Sequence, residues 1–279
     1  MSVTRTEIAL DDLPRWSPWP ARLLGLTGQA REPRTPESIL REYDRDKYGT
    51  LMRALDADPS LSLEAIKRLE LGDPETPVAV SLDEQLLVEP IGAAFDRATA
   101  LLLDFVGPHL AGAASVVDLG CGYGYHLARI AELAPELHVA GGEFAPAGRA
   151  LAQRLHTFPV GPVDLVAGDA EPLEQATGPV VVVLSMVLHQ LPTAATAVET
   201  LARHRDKIDR VLVYDALAGV QPDSLLGLLR RRYIELNHYS WDLLEVLDAR
   251  DDVEVLELRP NVIGTNALLP GSFAAWRFR

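Results

Sequence analysis

Two kinds of hydrophobic spacing follow one another along the chain, and they divide it near residue 88. Before that point apolar residues recur every three or four positions, the spacing of one helix face. Thr35-Pro36 offers a capping hydroxyl and a first-turn proline, with Glu37 near the positive end of the helix. Ile39, Leu40 and Tyr43 then share a face, Tyr48 and Leu51 extend it loosely, and Gly49 predicts a kink or break. Ser62 opens another helix, with Leu63, Ile66 and Leu69 inward and Gly72 as its stop. Ser81 and Glu84 have the spacing of a capping box, and Pro90 opens a helix carrying Ile91, Phe95, Ala98, Leu102 and Phe105 on one side. No strand is read in this region. Residues 1–88 are expected to form an all-helical cap or lid, and residues 89–279 the core.

From Ser115 the pattern changes to short apolar runs alternating with helical spacing. Strands are read at 116–119, 139–142, 163–167, 180–184, 211–214, 253–258 and 273–278. Helices are read near 125–133, 146–155, 193–208 and 223–247, the last broken at 237–240. Short apolar strands separated by helices predict an α/β fold, a parallel sheet covered on both faces. The last two strands have no helix between them. Their connection, NVIGTNALLPG, suits an antiparallel return. No internal repeat or low-complexity segment interrupts the pattern.

The most informative stretch is VVDLGCGYGYHLARI, a strand that ends in Gly120, Gly122 and Gly124 before a helix begins. Glycines let a ligand approach the backbone, and a helix start offers unpaired N–H groups to it. Three features follow at further strand ends. Glu143 is placed to accept both hydrogen bonds of a ribose diol, Asp169 to accept from an adenine amino group, and Ser185 to line the cleft with the residues up to His189. A dinucleotide dehydrogenase would want glycine at the sixth position of G-x-G-x-x-G, where this chain has Tyr125.

Composition narrows the partners. With 279 residues, 48% hydrophobic and 24% charged, the chain has an ordinary globular make-up and enough length for a sizeable core. A net charge of −14 and a pI near 4.9 argue against a nucleic-acid surface or an anionic membrane face. Arg230, Arg231 and Arg232 read as a solvated helix edge. One cysteine, no secretory signal and no apolar run of membrane-spanning length predict a cytoplasmic protein. The seven histidines are scattered without metal-ligand spacing, so no metal is expected. Trp16 and Trp19, in the proline-rich arm of residues 1–34, anchor it either as a strap on its own domain or as a lid over a substrate.

The segments VVDLGCGYG, VAGGEFAP, VAGDAEPL and VVLSMVLHQLP resemble those of the class I S-adenosylmethionine-dependent methyltransferases, over roughly residues 88–279. The resemblance implies a seven-stranded, mostly parallel sheet with an antiparallel last strand and helices on both faces. It places Asp118, Gly120, Cys121, Gly122 and Gly124 around the methionine part of S-adenosylmethionine, Glu143 on the ribose, and Asp169 with Ala170 on adenine. Gly142-Glu143 replaces the commoner hydrophobic-Asp pair.

Methyl transfer is an in-line displacement in which positioning supplies much of the rate, up to roughly 7–11 kcal/mol. A fixed catalytic motif is therefore not required. The candidates are His189, just after the fourth strand, and His238 and Tyr239 in NHYSW, with Trp241 as a pocket wall. His189 has a structural reading too, and Trp241 a core one. Tyr43 and Tyr48 would cover the sulfonium, and Arg41 or Lys47 pair with the cofactor carboxylate, unless all four belong to a salt-bridged amphipathic helix. Cys121 reads as a small residue tolerated in the turn.

The expected function is transfer of a methyl group to a small-molecule acceptor, aromatic or heteroaromatic and phenol- or indole-like, in secondary metabolism. S-adenosylhomocysteine would be the product. A non-catalytic cofactor-binding subunit and a peptide or protein methyltransferase are the alternatives. Neither nucleic acid nor membrane is expected as partner, and a homodimer stays open.

Overall fold

The computed structural model describes residues 5–25, 34–240 and 242–279, and eleven strands among them join one sheet. Seven form the expected core: β4 (Ser115–Leu119), β5 (His138–Glu143), β6 (Val160–Asp164), β8 (Val180–Ser185), β9 (Ile208–Asp215), β10 (Val253–Gly264) and β11 (Gly271–Phe278). The other four are β1 (Thr6–Glu7), β2 (Pro77–Leu82), β3 (Gln85–Pro90) and the two-residue β7 (Asp169–Ala170). Their order is β1-β3-β2-β10-β11-β9-β8-β4-β5-β6-β7. β4 pairs in parallel with β5 on one side and β8 on the other, while β11 runs antiparallel to both β9 and β10. The strand sequence thus turns back at β4, which opens a crevice at the carboxyl ends of β4, β5 and β8.

Side-chain alternation builds a core on each face. Val180, Val182 and Leu184 of β8 pack with Leu173 of α8 (Glu171–Gln175), Val198 and Leu201 of α9 (Ala195–Ala202) and Leu247 of α11 (Leu243–Asp248). Val181 and Val183 face the other way, onto Leu102 and Phe105 of α5 (Ile91–His109) and Leu127 and Ile130 of α6 (Tyr125–Leu133). Because both faces are covered, every position of such a strand is apolar and the run is legible without a polar alternate. The third strand ends at Asp164 and not at residue 167, and the helix expected at 193–208 is shorter.

The all-helical reading of residues 1–88 is corrected. Ser81 and Glu84 do not cap a helix; Ser81 lies on β2, and Glu84 forms with Asp83 a two-residue hairpin turn, with φ of 44° at Asp83 and 70° at Glu84. A turn with both central residues left-handed matches the twist of paired strands. The hairpin joins the sheet through β2, which pairs with Ile263 and Gly264 of β10. Arg230, on α10 (Leu225–Leu236), is also not a solvated edge. It is fully buried and donates to Ser81 Oγ and Glu84 Oε2, each at 2.6 Å, so both residues of the apparent capping box receive one guanidinium.

The remaining N-terminal segment is helical. Thr35 caps α2 (Pro36–Leu40) with a reciprocal bond to Ser38, and Ser62 and Gly72 bound α4 (Leu63–Leu71) as read. Gly49 does not break the first helix. Residues 41–48 widen into π-type turns that run directly into α3 (Gly49–Ala57), and a Cβ on Gly49 would lie 2.9 Å from the Asp44 carbonyl. Bonding from residue i to i+5 brings Tyr43 and Tyr48 to one side, their rings 6.0 Å apart. Leu51, Leu55 and Ile66 then pack onto Leu151 of α7 (Pro146–Leu155). In the proline-rich arm Leu13 is buried, and Trp19, in the one-turn helix α1 (Trp19–Leu23), meets Tyr233 edge-on at 4.5 Å, while Trp16 stays partly exposed.

Candidate active site

The turn after β4 owes its shape to three left-handed glycines, Gly120, Gly122 and Gly124, with φ of 90°, 60° and 82°. Gly120 and Cys121 donate N–H groups to the Gly142 carbonyl at 2.7 and 3.0 Å, which ties the turn to β5. Close approach also demands glycine here: a Cβ on Gly122 would stand 2.6 Å from the Tyr48 hydroxyl. Glu143, at the end of β5, closes the other side. Its Oε2 accepts from Gly122 N–H at 2.8 Å and its Oε1 from Ala145 N–H at 2.7 Å, leaving each oxygen a lone pair. Burial raises its pKa against those two bonds.

Asp118 lies at the end of β4 with 1% of its surface exposed, and its Oδ1 has no hydrogen-bond partner. Burial, and then the charge of Glu143, lift its pKa to about 7. An orphaned buried carboxylate calls for a cation or a donor to complete it.

These groups line a cavity of about 330 Å³. The N-terminal segment supplies one side, with Arg34, Ile39, Tyr43, Lys47 and Tyr48. Lys47 and Lys67 each lie 2.7 Å from Glu70, and the Tyr123 hydroxyl donates to it at 2.6 Å. Burial opposes ionisation of Glu70, but the two ammonium groups outweigh it and hold its pKa at about 2. The Lys67 ammonium sits 3.4 Å above the Phe95 ring. His126, in the first turn of α6, stacks on Phe95 at 5.7 Å and lies 3.4 Å through Nδ1 from Ser185 Oγ. Burial, and then the charge of Lys67, lower its pKa to about 4, so its ring is neutral near pH 7.

Residues 116–218 match the family model of a methyltransferase domain. The matched stretch contains the glycine turn and the ends of β4, β5 and β8 that border the cavity. The magnesium protoporphyrin IX methyltransferase of Synechocystis, solved with bound S-adenosylhomocysteine, shares the fold at a TM-score of 0.51 and 14% identity, over 87% of this chain and 100% of its own. An S-adenosylmethionine-dependent methyltransferase from Anabaena variabilis aligns at 0.49 and 14%, over 91% and 99% of the two chains. The mitomycin 7-O-methyltransferase MmcR aligns at 0.43 and 19%, over 89% and 74%. No curated protein sequence matches the chain.

Of the residues expected at the cofactor, Asp118, Gly120, Cys121, Gly122, Glu143, Ser185 and Tyr48 all line the cavity. Gly124 does not; its left-handed conformation starts α6 instead. Asp169 is exposed on β7, directly opposite Asp164, and Ala170 is in the core; Asp164 is the carboxylate at the cavity. His189 is buried behind the wall, with Nδ1 2.5 Å from Asp215 Oδ1 and the Tyr239 ring edge-on at 4.7 Å. Tyr239 therefore packs against His189 and does not line the cavity. His238 is exposed with φ of 52°, and Trp241 lies outside the described residues. Burial raises the Cys121 pKa, so its thiol stays protonated. His126, Lys67, Glu70 and Gln190 escaped the sequence reading, which had Phe95 only as part of a helix face. Of these only His126 carried a signal, its place two residues past the last glycine. Among the described residues no cluster of metal-binding side chains occurs and no helix is long and apolar enough to cross a membrane.

Proposed function

We propose that this protein transfers the methyl group of S-adenosylmethionine to a small-molecule acceptor, aromatic or heteroaromatic and phenol- or indole-like. The observation that carries the reading is Asp118, a buried carboxylate with one unpartnered oxygen beside the glycine turn. It would hold the cofactor's ammonium group, and the free lone pairs of Glu143 would accept from the ribose hydroxyls. Asp164 takes the adenine-facing role expected of Asp169, because β6 ends there. Tyr48, against Gly122, and Tyr43 would cover the sulfonium. The bound cofactor supplies an electrophilic methyl carbon.

The chain's own contribution is to orient the acceptor and keep water out. Phe95 and Tyr125 offer the aromatic wall that the sequence reading sought at residues 237–241. His189 is a positioning residue: paired to Asp215, it contacts the side chain of Gln190, which does line the cavity. Closure by the N-terminal segment favours a small acceptor over a protein one. Thermal unfolding with S-adenosylhomocysteine tests the binding claim, since a ligand at a hundred times its dissociation constant adds about 2.7 kcal/mol. No stabilisation would refute it. Turnover then requires a cofactor-dependent mass gain of 14 Da, about one methylene, in a phenol or indole acceptor.

A further inference from the structure

Three more polar atoms on residues lining this cavity are buried without a partner: the donor Arg34 Nε, and His126 Nε2 and Gln190 Oε1 on the facing wall. Hydrogen-bond logic fixes the orientation of Gln190 from behind. Asp215 is fully buried and accepts from the N–H groups of Leu188 at 2.6 Å and Ala216 at 2.7 Å. Its contact with His189 at 2.5 Å therefore places a hydrogen on Nδ1. In the neutral ring the lone pair is then on Nε2, which accepts from the Gln190 amide nitrogen. The amide hydrogens are directed to His189, and Oε1 is left as an acceptor. His126 follows the same pattern when its Nδ1–H donates to Ser185 Oγ, leaving Nε2 as a second acceptor.

We propose that this wall selects a protic acceptor, in which the O–H or N–H to be methylated donates to His126 Nε2 and a second N–H or neighbouring O–H donates to Gln190 Oε1. The inference rests on the methyl-transfer reading above. A compound without such hydrogens leaves two buried acceptors unsatisfied, and sites of that kind discriminate strongly against it. The new bond forms between the acceptor oxygen or nitrogen and the methyl carbon while the carbon–sulfur bond breaks and its electron pair stays on sulfur. The acceptor's proton passes to His126 and leaves to solvent. One positive charge is lost from the sulfonium as one appears on the imidazole, so the cavity's net charge does not change during the step.

The test compares probes with and without both donor hydrogens: catechol with 1,2-dimethoxybenzene, and aniline with N,N-dimethylaniline. Each is added to the full chain saturated with S-adenosylhomocysteine, and thermal unfolding is followed. Catechol and aniline should raise Tm beyond the value with S-adenosylhomocysteine alone, and their methylated partners should not. Gln190→Met and His126→Phe should keep the S-adenosylhomocysteine shift and lose the discrimination. Equal effects within each pair, no effect from any probe, or discrimination that survives both variants overturns the proposal. A missing S-adenosylhomocysteine shift overturns the methyl-transfer reading itself. Side-chain 15N NMR of the wild type gives an independent readout near pH 8. His189 should carry its proton on Nδ1 and His126 should have an unprotonated Nε2; the opposite tautomer at either ring overturns the assignment.

Discussion

Asp118→Asn is expected to stabilise the ligand-free protein at pH 8 while weakening its cofactor site. The carboxyl titrates at 3.8 in the unfolded chain and at about 7 in the folded one, burial being the main cause and Glu143 the second. Below pH 3.8 both states hold the proton and the group is neutral in the balance. As pH rises the unfolded chain releases its proton first, so stability falls until the folded carboxyl also ionises near pH 7. Each tenfold in acidity is worth about 1.4 kcal/mol, so the full loss is about 4 kcal/mol, of which about 2–3 kcal/mol falls between pH 5 and 8. Asparagine has nearly the same shape and no proton to lose.

Urea unfolding of both proteins at pH 5 and pH 8 without ligand isolates this effect. Other groups, Glu143 included, are present in both, so the difference between the two pH dependences reports mainly on residue 118. The wild type should lose about 2–3 kcal/mol relative to the variant over that interval. With S-adenosylhomocysteine the order should reverse, because a cation paired to Asp118 compensates the buried charge that asparagine lacks. Parallel pH profiles, or a variant that binds S-adenosylhomocysteine as tightly as the wild type, would refute the reasoning.

Three further outcomes follow from the geometry. Glu143→Gln keeps the shape of the side chain but replaces one charged acceptor with a donor facing an N–H; S-adenosylhomocysteine affinity should fall by about 10–100-fold in calorimetry, the equivalent of roughly 1.5–3 kcal/mol, and an unchanged affinity would exclude a ribose contact. Gly122→Ala adds a Cβ 2.6 Å from the Tyr48 hydroxyl at a left-handed residue, so it should destabilise the fold and weaken ligand binding. Adding Tyr48→Phe should recover the part due to the clash, about 1 kcal/mol, but not the backbone strain; strict additivity of the two substitutions would argue against the contact. Arg230→Met strips a partner from fully buried Ser81 while half-exposed Glu84 is rehydrated, so the cost should be about 1–3 kcal/mol in urea unfolding with S-adenosylhomocysteine affinity kept, and a loss below about 0.5 kcal/mol would place the guanidinium outside the stabilising network.

What was legible in the chain was whatever is decided locally. A parallel strand covered on both faces is apolar along its run except where it reaches the cleft, and β4 and β8 announce themselves in VVDL and VVVVLS, whose polar residues Asp118 and Ser185 lie at the cavity. The turn at Gly120, Gly122 and Gly124 needs left-handed backbone, which only a few residue types adopt without cost, so its glycines are as visible in the sequence as in the structure. The hairpin at Pro77–Pro90 was hidden because Ser81 and Glu84 satisfy a helix cap on paper, whereas the partner they serve, Arg230, is about 150 residues further along the chain. Tyr43 and Tyr48 were hard to place because a 3.6-residue period does not hold through π-type turns. Asp164 and not Asp169 lines the cavity because the third strand ends three residues early.

The same distinction separates the two halves of the site. The half proposed for the methyl donor is built by one turn and two strand ends, and residues adjacent in sequence specify it. The half proposed for the acceptor is assembled from Lys67 on α4, Phe95 on α5, His126 on α6, Ser185 at the end of β8 and Gln190 beyond it, and none of these predicts another by spacing. Gln190 shows why. Its side chain became informative only when Asp215, His189 and their hydrogens were counted in order, because an amide can present either its nitrogen or its oxygen and only the partner behind it decides which. A single sequence therefore names the methyl donor before it says anything about the acceptor, and the acceptor's chemistry has to be inferred from the atoms that the folded wall leaves unsatisfied.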